Sequence, residues 1–309
     1  MRRALFTLIL FGALVPATAR CRTPALVAIW GSLGDQSGQF NRPTGVAVGT
    51  DGNVYVADLN NHRIQVFTSN GTFVDQWGSN GLAPSSLTAP LHVAADANGQ
   101  VFVTEWNTRS LSQTGFQVFT NAGAYLASWV PLGDGSGIDA FGSPFGVAVG
   151  PDGRVFIADD TRVYVYANDG AYITYWPIGG KGLGVDPSGN VYVMDTQCGC
   201  VRKLDGSGTQ LTSWSSGALD LAVDARGNVY VADMASNRVV VYNTNGTTVA
   251  SWGTFGSNPG EFHAPWGIAV GPDGRVYVAD TYNDRIQVFG PVPTPTRSAS
   301  WGSVKTHYR

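Results

Sequence analysis

The chain has 309 residues, 43% hydrophobic and only 13% charged, with 40 glycines and a formal net charge of −3. So many glycines with so few charges exclude a helical bundle and suit an all-β architecture of short strands and tight turns. The acidic balance argues against a nucleic-acid surface, which needs a basic excess, and three cysteines cannot all pair within one chain.

Met1 to Ala19 (MRRALFTLILFGALVPATA) carries two arginines, an apolar run and a small-residue ending at Ala17-Thr18-Ala19. That is the anatomy of a secretory signal peptide cut after Ala19. The apolar run is too short to span a bilayer, so no membrane span is expected in the mature chain. Cys21 invites a lipid anchor, but Arg20 stands where lipoprotein signals carry a small residue. The expected location is secreted or periplasmic.

Ala25 to Gly31 (ALVAIWG) reads as a strand with nothing before it to pair with. Its Trp30 begins a series at 30, 77, 129, 176, 214 and 252. From 77 onward each Trp stands ten residues after the end of a strand, at Phe67, Phe119, Tyr166, Leu204 and Tyr242. Between them runs a unit seen six times, beginning near residues 43, 90, 144, 181, 219 and 265. The cleanest copy is FHAPWGIAVGPDGRVYVADTYNDRIQVF (262–289). It reads as a buried strand, a Gly-containing turn, a second strand, a polar loop and a third strand, with the Trp segment as a fourth. Such a unit cannot bury both faces alone, so copies must stack.

The sixth unit lacks a Trp at the expected spacing. The first strand supplies one, because Trp30 to Pro43 and Trp252 to Pro265 are both thirteen residues. Borrowing that strand closes a ring and leaves no open edge. Residues 291–309 follow as a Pro/Thr linker and a tail whose Trp301-Gly302 echoes the fourth-strand ending at the wrong offset.

The pattern P-x-G-[VI]-A-V, D-G-x-[VI]-[YF]-V-A-D, N-x-R-[IV]-x-V-[FY] resembles the NHL repeat over nearly all of the mature chain. The resemblance implies an all-β, six-bladed NHL β-propeller of four-stranded antiparallel blades spanning residues 25–290. It says less about function. NHL propellers include secreted ligand binders, sensor domains of bacterial kinases, RNA-binding modules of ubiquitin ligases and peptidyl-hydroxyglycine amidating lyases.

In such a ring the turns after strands one and three share one face, and the loops after strands two and four share the other. The first set is short and uniform (TDGN, ANGQ, PDGR, PSGN, ARGN, PDGR), whereas insertions fall at 31–42, 78–89, 106–115, 130–143 and 253–264. Length variation marks the long-loop face as the decorated one, with a notch at units four and five. Thr44, Leu91, Phe145, Lys181, Leu219 and Trp266 open the innermost strands there, followed by Gly45, His92, Gly146, Gly182, Asp220 and Gly267. A partly aromatic ring broken by His92, Lys181 and Asp220 fits a small-ligand pocket and equally fits a plug. His92, Phe145, Lys181, Asp220 and Trp266, with Trp106 and Tyr282 from neighbouring loops, are the candidate ligand contacts.

Acids recur at the end of strand two (Asp58, Glu105, Asp159, Asp195, Asp233, Asp280). A catalytic pair needs asymmetry, so recurrence favours structural carboxylates that accept backbone N–H groups. Arg63, Arg162, Arg238 and Arg285 recur likewise and are expected to tie that loop down. In the amidating lyases zinc is held by histidines, and His62 is similar to the first such position. Thr44, Phe145 and Trp266 stand at the second, with His92 one residue late. A three-His site is therefore not spelled out, and His62 and His92 remain weak metal candidates.

No nucleophile elbow, phosphate loop or His-Glu-x-x-His motif is present, and no cofactor is expected. The carboxylate and amide constellation of gluconolactonase-like propellers is not assignable. Cys198 and Cys200 replace the Asn and Arg positions of the unit-four loop and invite a disulfide, read either as a loop staple in place of the lost Arg contact or as a redox or metal element. Asn70-Gly71-Thr72 and Asn245-Gly246-Thr247 match glycosylation acceptors but read as turns. The functional expectation is a monomeric, non-catalytic module that binds a protein, peptide or small molecule through the long-loop face. The alternative is a metal-dependent lyase or hydrolase near His62 and His92.

Overall fold

The computed structural model describes residues 23–81, 83–106, 115–129 and 141–293. The segment expected to be a signal peptide, Cys21, the greater part of the insertions after Trp106 and Trp129, and the tail from 294 lie outside the described residues. The rest forms six sheets of four antiparallel strands. Blade one is typical: Pro43–Val48, Asn53–Asp58, Arg63–Thr68 and Phe73–Trp77 run outward from the axis. Its second strand is buried on both faces apart from Asn53, because each face packs against a neighbouring blade, and six apolar clusters line the ring. This explains why the inner strands read as continuous apolar runs.

The ring closes as the Trp spacing requires. Leu26–Trp30 pairs with Arg285–Phe289 as the outermost strand of blade six, with Trp30 opposite Ile286. The recurring tryptophans have a specific partner. Trp30, Trp77, Trp129, Trp176 and Trp214 each lie against a left-handed glycine in the next blade's outer turn, namely Gly71, Gly123, Gly170, Gly208 and Gly246. A Cβ on Gly71 would stand 2.2 Å from Trp30 Nε1 at φ +85. Gly71→Ala is therefore expected to cost at least about 1–2 kcal/mol for backbone handedness alone, read as a lowered thermal midpoint. An unchanged midpoint would show that the turn relaxes freely.

The inner turns use one carboxylate in two registers. Asp51, Asp152 and Asp273 stand two residues after a glycine, whereas Asp96, Asp186 and Asp224 take that glycine's own place. In all six blades the acid accepts the N–H of the residue at, or immediately before, the start of the second strand. This Asx geometry makes the turns uniform.

Candidate functional site

The innermost strands meet at a narrow neck on the long-loop face. Gly45, Gly146, Gly182 and Gly267 sit there with no room for a side chain. A Cβ would lie 2.6 Å from His92 Cα, 2.3 Å from the Lys181 carbonyl, 2.7 Å from Asp220 Cα and 2.0 Å from the Thr44 carbonyl, respectively. The two remaining positions, His92 and Asp220, belong to blades two and five, which are opposite in a ring of six. Their side chains meet, with His92 Nε2 3.0 Å from Asp220 Oδ1. Asp220 also accepts the N–H groups of Leu221 at 2.8 Å and Ile268 at 3.1 Å.

Both residues are buried, His92 to 8% and Asp220 to 1% exposure. Burial alone would push the imidazole down, but the Asp220 charge and hydrogen bond outweigh it and hold the group above its ordinary value. His92 Nδ1 is buried with no hydrogen-bond partner. For these two residues the geometry is that of a transaxial plug rather than of contacts open to a ligand. Nothing in their local sequence signals the pairing. Counting units around a six-membered ring would have found it.

The other expected contacts are more open. Lys181 Nζ lies 4.6 Å from the Phe145 ring centroid, and Phe145, Lys181 and Trp266 are all partly exposed. Trp106 and Tyr282 are 46% and 47% exposed. Thr44 and Leu91, by contrast, are buried.

Two of the long loops are built alike. In loop 31–42, Leu33 and Phe40 form a bridge, and in loop 253–264 Phe255 and Phe262 do the same. Beneath each sits an arginine fork. Arg63 donates to Asp58 and to the carbonyls of Asp35, Gln36 and Gln39 at 2.7–3.0 Å. Arg285 donates to Asp280 and to the carbonyls of Ser257, Asn258 and Glu261 over the same range. Asp58 and Asp280 complete the frame by accepting the Asn41 and His263 N–H groups. Arg238 pairs with Asp233. Arg162 departs from the expected role: its guanidinium lies 4.2 Å over the Tyr175 ring, while the Tyr164 hydroxyl and Thr161 satisfy Asp159.

The crests of these two loops carry side chains that sequence reasoning missed. Leu33 and Phe255 are 66% and 67% exposed. Phe255 packs edge-on to His263, which stacks on Tyr282, over which lies the Arg42 guanidinium. In blade one the corresponding pair is Asn41 and Asn60, joined by a hydrogen bond. The signal was available, because His263 and Tyr282 replace those asparagines in the aligned repeats.

The metal candidates are occupied otherwise. His62 takes a left-handed conformation and its Nδ1 bonds the Thr88 carbonyl. It latches blade one to the loop entering blade two, as Asp284 holds the Arg42 N–H and Asn237 the Ala264 N–H. Among the described residues neither His62 nor His92 belongs to a group of three metal-capable side chains, so the residues present do not fit a three-histidine zinc centre. The group that does form is Asp195, Cys198 and Cys200, in which the two sulfurs are joined as a disulfide. On the opposite face a cavity of about 330 Å³ lies between the inner turns of blades one and two, lined by Asp51, Asp96, Asn98, Gln100 and Asn121 among others.

No helix among the described residues is long and apolar enough to cross a membrane. The NHL repeat profile matches residues 40–67 and 262–289, the third strands of blades one and six with all that precedes them back to Phe40 and Phe262. Over 44 residues, 14% of this chain, the sequence is 54% identical to the B-box type zinc finger protein ncl-1 of Caenorhabditis elegans. The match spans only 5% of that protein's length. Among solved structures the fold is similar to a gluconolactonase from Xanthomonas campestris, with TM-score 0.60 and 15% identity over 90% of this chain and 99% of that one. It is also similar to a streptogramin B lyase, with TM-score 0.58 and 13% identity over 84% and 97% of the two chains. Likeness at such low identity speaks for the fold alone. The profile match, the blade topology and the strand that closes the ring agree: the chain carries NHL repeats in blades one and six and folds as a six-bladed β-propeller.

Proposed function

We propose that this chain is an exported module that binds a protein or peptide partner on its long-loop face, across blades six and one. The observation that carries the reading is the pair of arginine-braced loops with exposed apolar crests at Leu33 and Phe255. Loops already fixed by internal hydrogen bonds lose little further freedom on binding. Aromatic and arginine side chains are also the residue types that dominate binding energy at interfaces, and Phe255, Tyr282 and Arg42 lie together beside His263.

The test starts from peptides selected on the wild-type chain from a random display library. Phe255→Ser combined with Tyr282→Ala is expected to weaken those peptides at least about tenfold, a loss of roughly 1.4 kcal/mol. Stability should stay within about 0.5 kcal/mol, since both side chains are exposed. Leu211→Ser, on the outer strand of blade four, should leave affinity unchanged. Peptides that bind the double variant as well as wild type would place the interface elsewhere.

A further inference from the structure

Blade four breaks the repeat at its second loop, and the break leaves two cysteines without a structural task. Cys198 and Cys200 stand where blade one has Asn61 and Arg63. In blade one those residues tie Asp58 through Asn61 Nδ2 and Arg63 Nε. In blade four Asp195 is tied instead by Arg202, two residues further along the same strand, with Nε 2.6 Å from Oδ2. Asp195 Oδ1 accepts the N–H groups of Gln197 and Cys198 at 2.8 and 3.3 Å. The loop is thus anchored without any contribution from sulfur. A bridge across one intervening residue also restricts the unfolded chain least.

The surroundings are open. Cys198 is exposed, Cys200 is partly exposed, and a Cβ on Gly199 would meet nothing within 4 Å. The neighbouring entries into blades four and five are short segments, 177–182 and 216–219, so among the described residues no long entry loop stands over the pair. Cys198 Sγ lies 3.7 Å from the Asp195 carbonyl, an acceptor ready for the S–H of a reduced form.

We propose that Cys198–Cys200 is a redox-active disulfide that exchanges with thiols, and that Cys198 is the sulfur attacked. An external thiolate adds to Cys198 Sγ. The S–S bond breaks and its electron pair leaves on Cys200 Sγ, which takes a proton from water. A second thiolate then attacks the external sulfur of the mixed disulfide and releases Cys198 as a thiolate, which is protonated in turn. The pair gains two electrons and two protons, and two external thiols become one disulfide. Exposed bridges are the labile class in such exchange.

The experiment uses the full chain carrying Cys21→Ser, so that the pair supplies the remaining thiols. It is equilibrated in buffers of reduced and oxidised glutathione, then alkylated and weighed. The expected result is a midpoint inside the glutathione range, and one glutathione held on Cys198 in the Cys200→Ser variant. A parallel series with a small dithiol protein of the thioredoxin type identifies the reacting source: faster reduction there assigns a protein thiol, and equal rates assign the small thiol. The Cys198→Ser, Cys200→Ser double variant should melt within about 2 °C of wild type, at most about 1 kcal/mol in a chain of this size. A pair that stays oxidised throughout overturns the proposal. So does a double variant that melts far lower, since the bridge would then be a staple.

Discussion

Asp220→Ala should lower stability by about 3–5 kcal/mol, although the residue itself contributes nothing to the apolar clusters around it. Removing one partner of a buried pair leaves the other uncompensated. Here it also strands the Leu221 and Ile268 N–H groups, which have Asp220 as their acceptor at the neck. At roughly 2 °C per kcal/mol in a chain of this size, the thermal midpoint should fall by about 6–10 °C. The same pair sets a pH dependence whose sign is fixed. His92 is held above its unfolded value of about 6.5, so the proton it binds on folding stabilises the ring fully below that pH. The contribution is lost as pH rises through the folded value. Thermal midpoints taken from pH 6 to pH 9 should decline in wild type and stay flatter in His92→Gln. Identical slopes in the two chains would mean that the pair is not the titrating element.

Trp30→Ala should be the other severe change. The side chain is buried against Phe67 of blade one and Tyr277 of blade six, and truncating a buried Trp costs about 3–5 kcal/mol in transfer and cavity terms. The loss is concentrated at the seam, because Trp30 belongs to the one strand that reaches its sheet from the far end of the chain. Loosening it exposes the edge of Arg285–Phe289, a template for intermolecular pairing. The variant is therefore expected to aggregate on heating and to be cut by protease near residue 30 before the global transition. A variant that melts at the wild-type temperature, with no early cleavage, would refute the role given to this strand.

The architecture was legible because each unit repeats its punctuation. Gly52, Gly71 and their counterparts mark the turns, the Trp series marks the fourth strands, and the thirteen-residue spacing after Trp30 marks the closure. The candidate site was legible only in part. Its face could be read from loop length, and Tyr282 and Trp266 from their places in the unit. The His92–Asp220 contact joins residues 128 positions apart, and no local pattern encodes it. Leu33 and Phe255 escaped for a different reason: an apolar residue inside a polar loop looks like core, and only the bracing by Arg63 and Arg285 turns it outward. Arg202 was hidden likewise, since a guanidinium displaced by two residues along a strand keeps its face and breaks the motif.

The closing strand also dictates an order of events during synthesis. Ala28 pairs with Val288, 260 residues later, so a ribosome working at about 5–20 residues per second leaves it waiting for roughly 13–52 s. During that interval blades one to five can assemble in sequence, each on the surface left by the one before. The sixth sheet stays incomplete until the last strand emerges. A nascent chain halted anywhere before Arg285 is an open arc with two sticky ends, and only the finished chain has none.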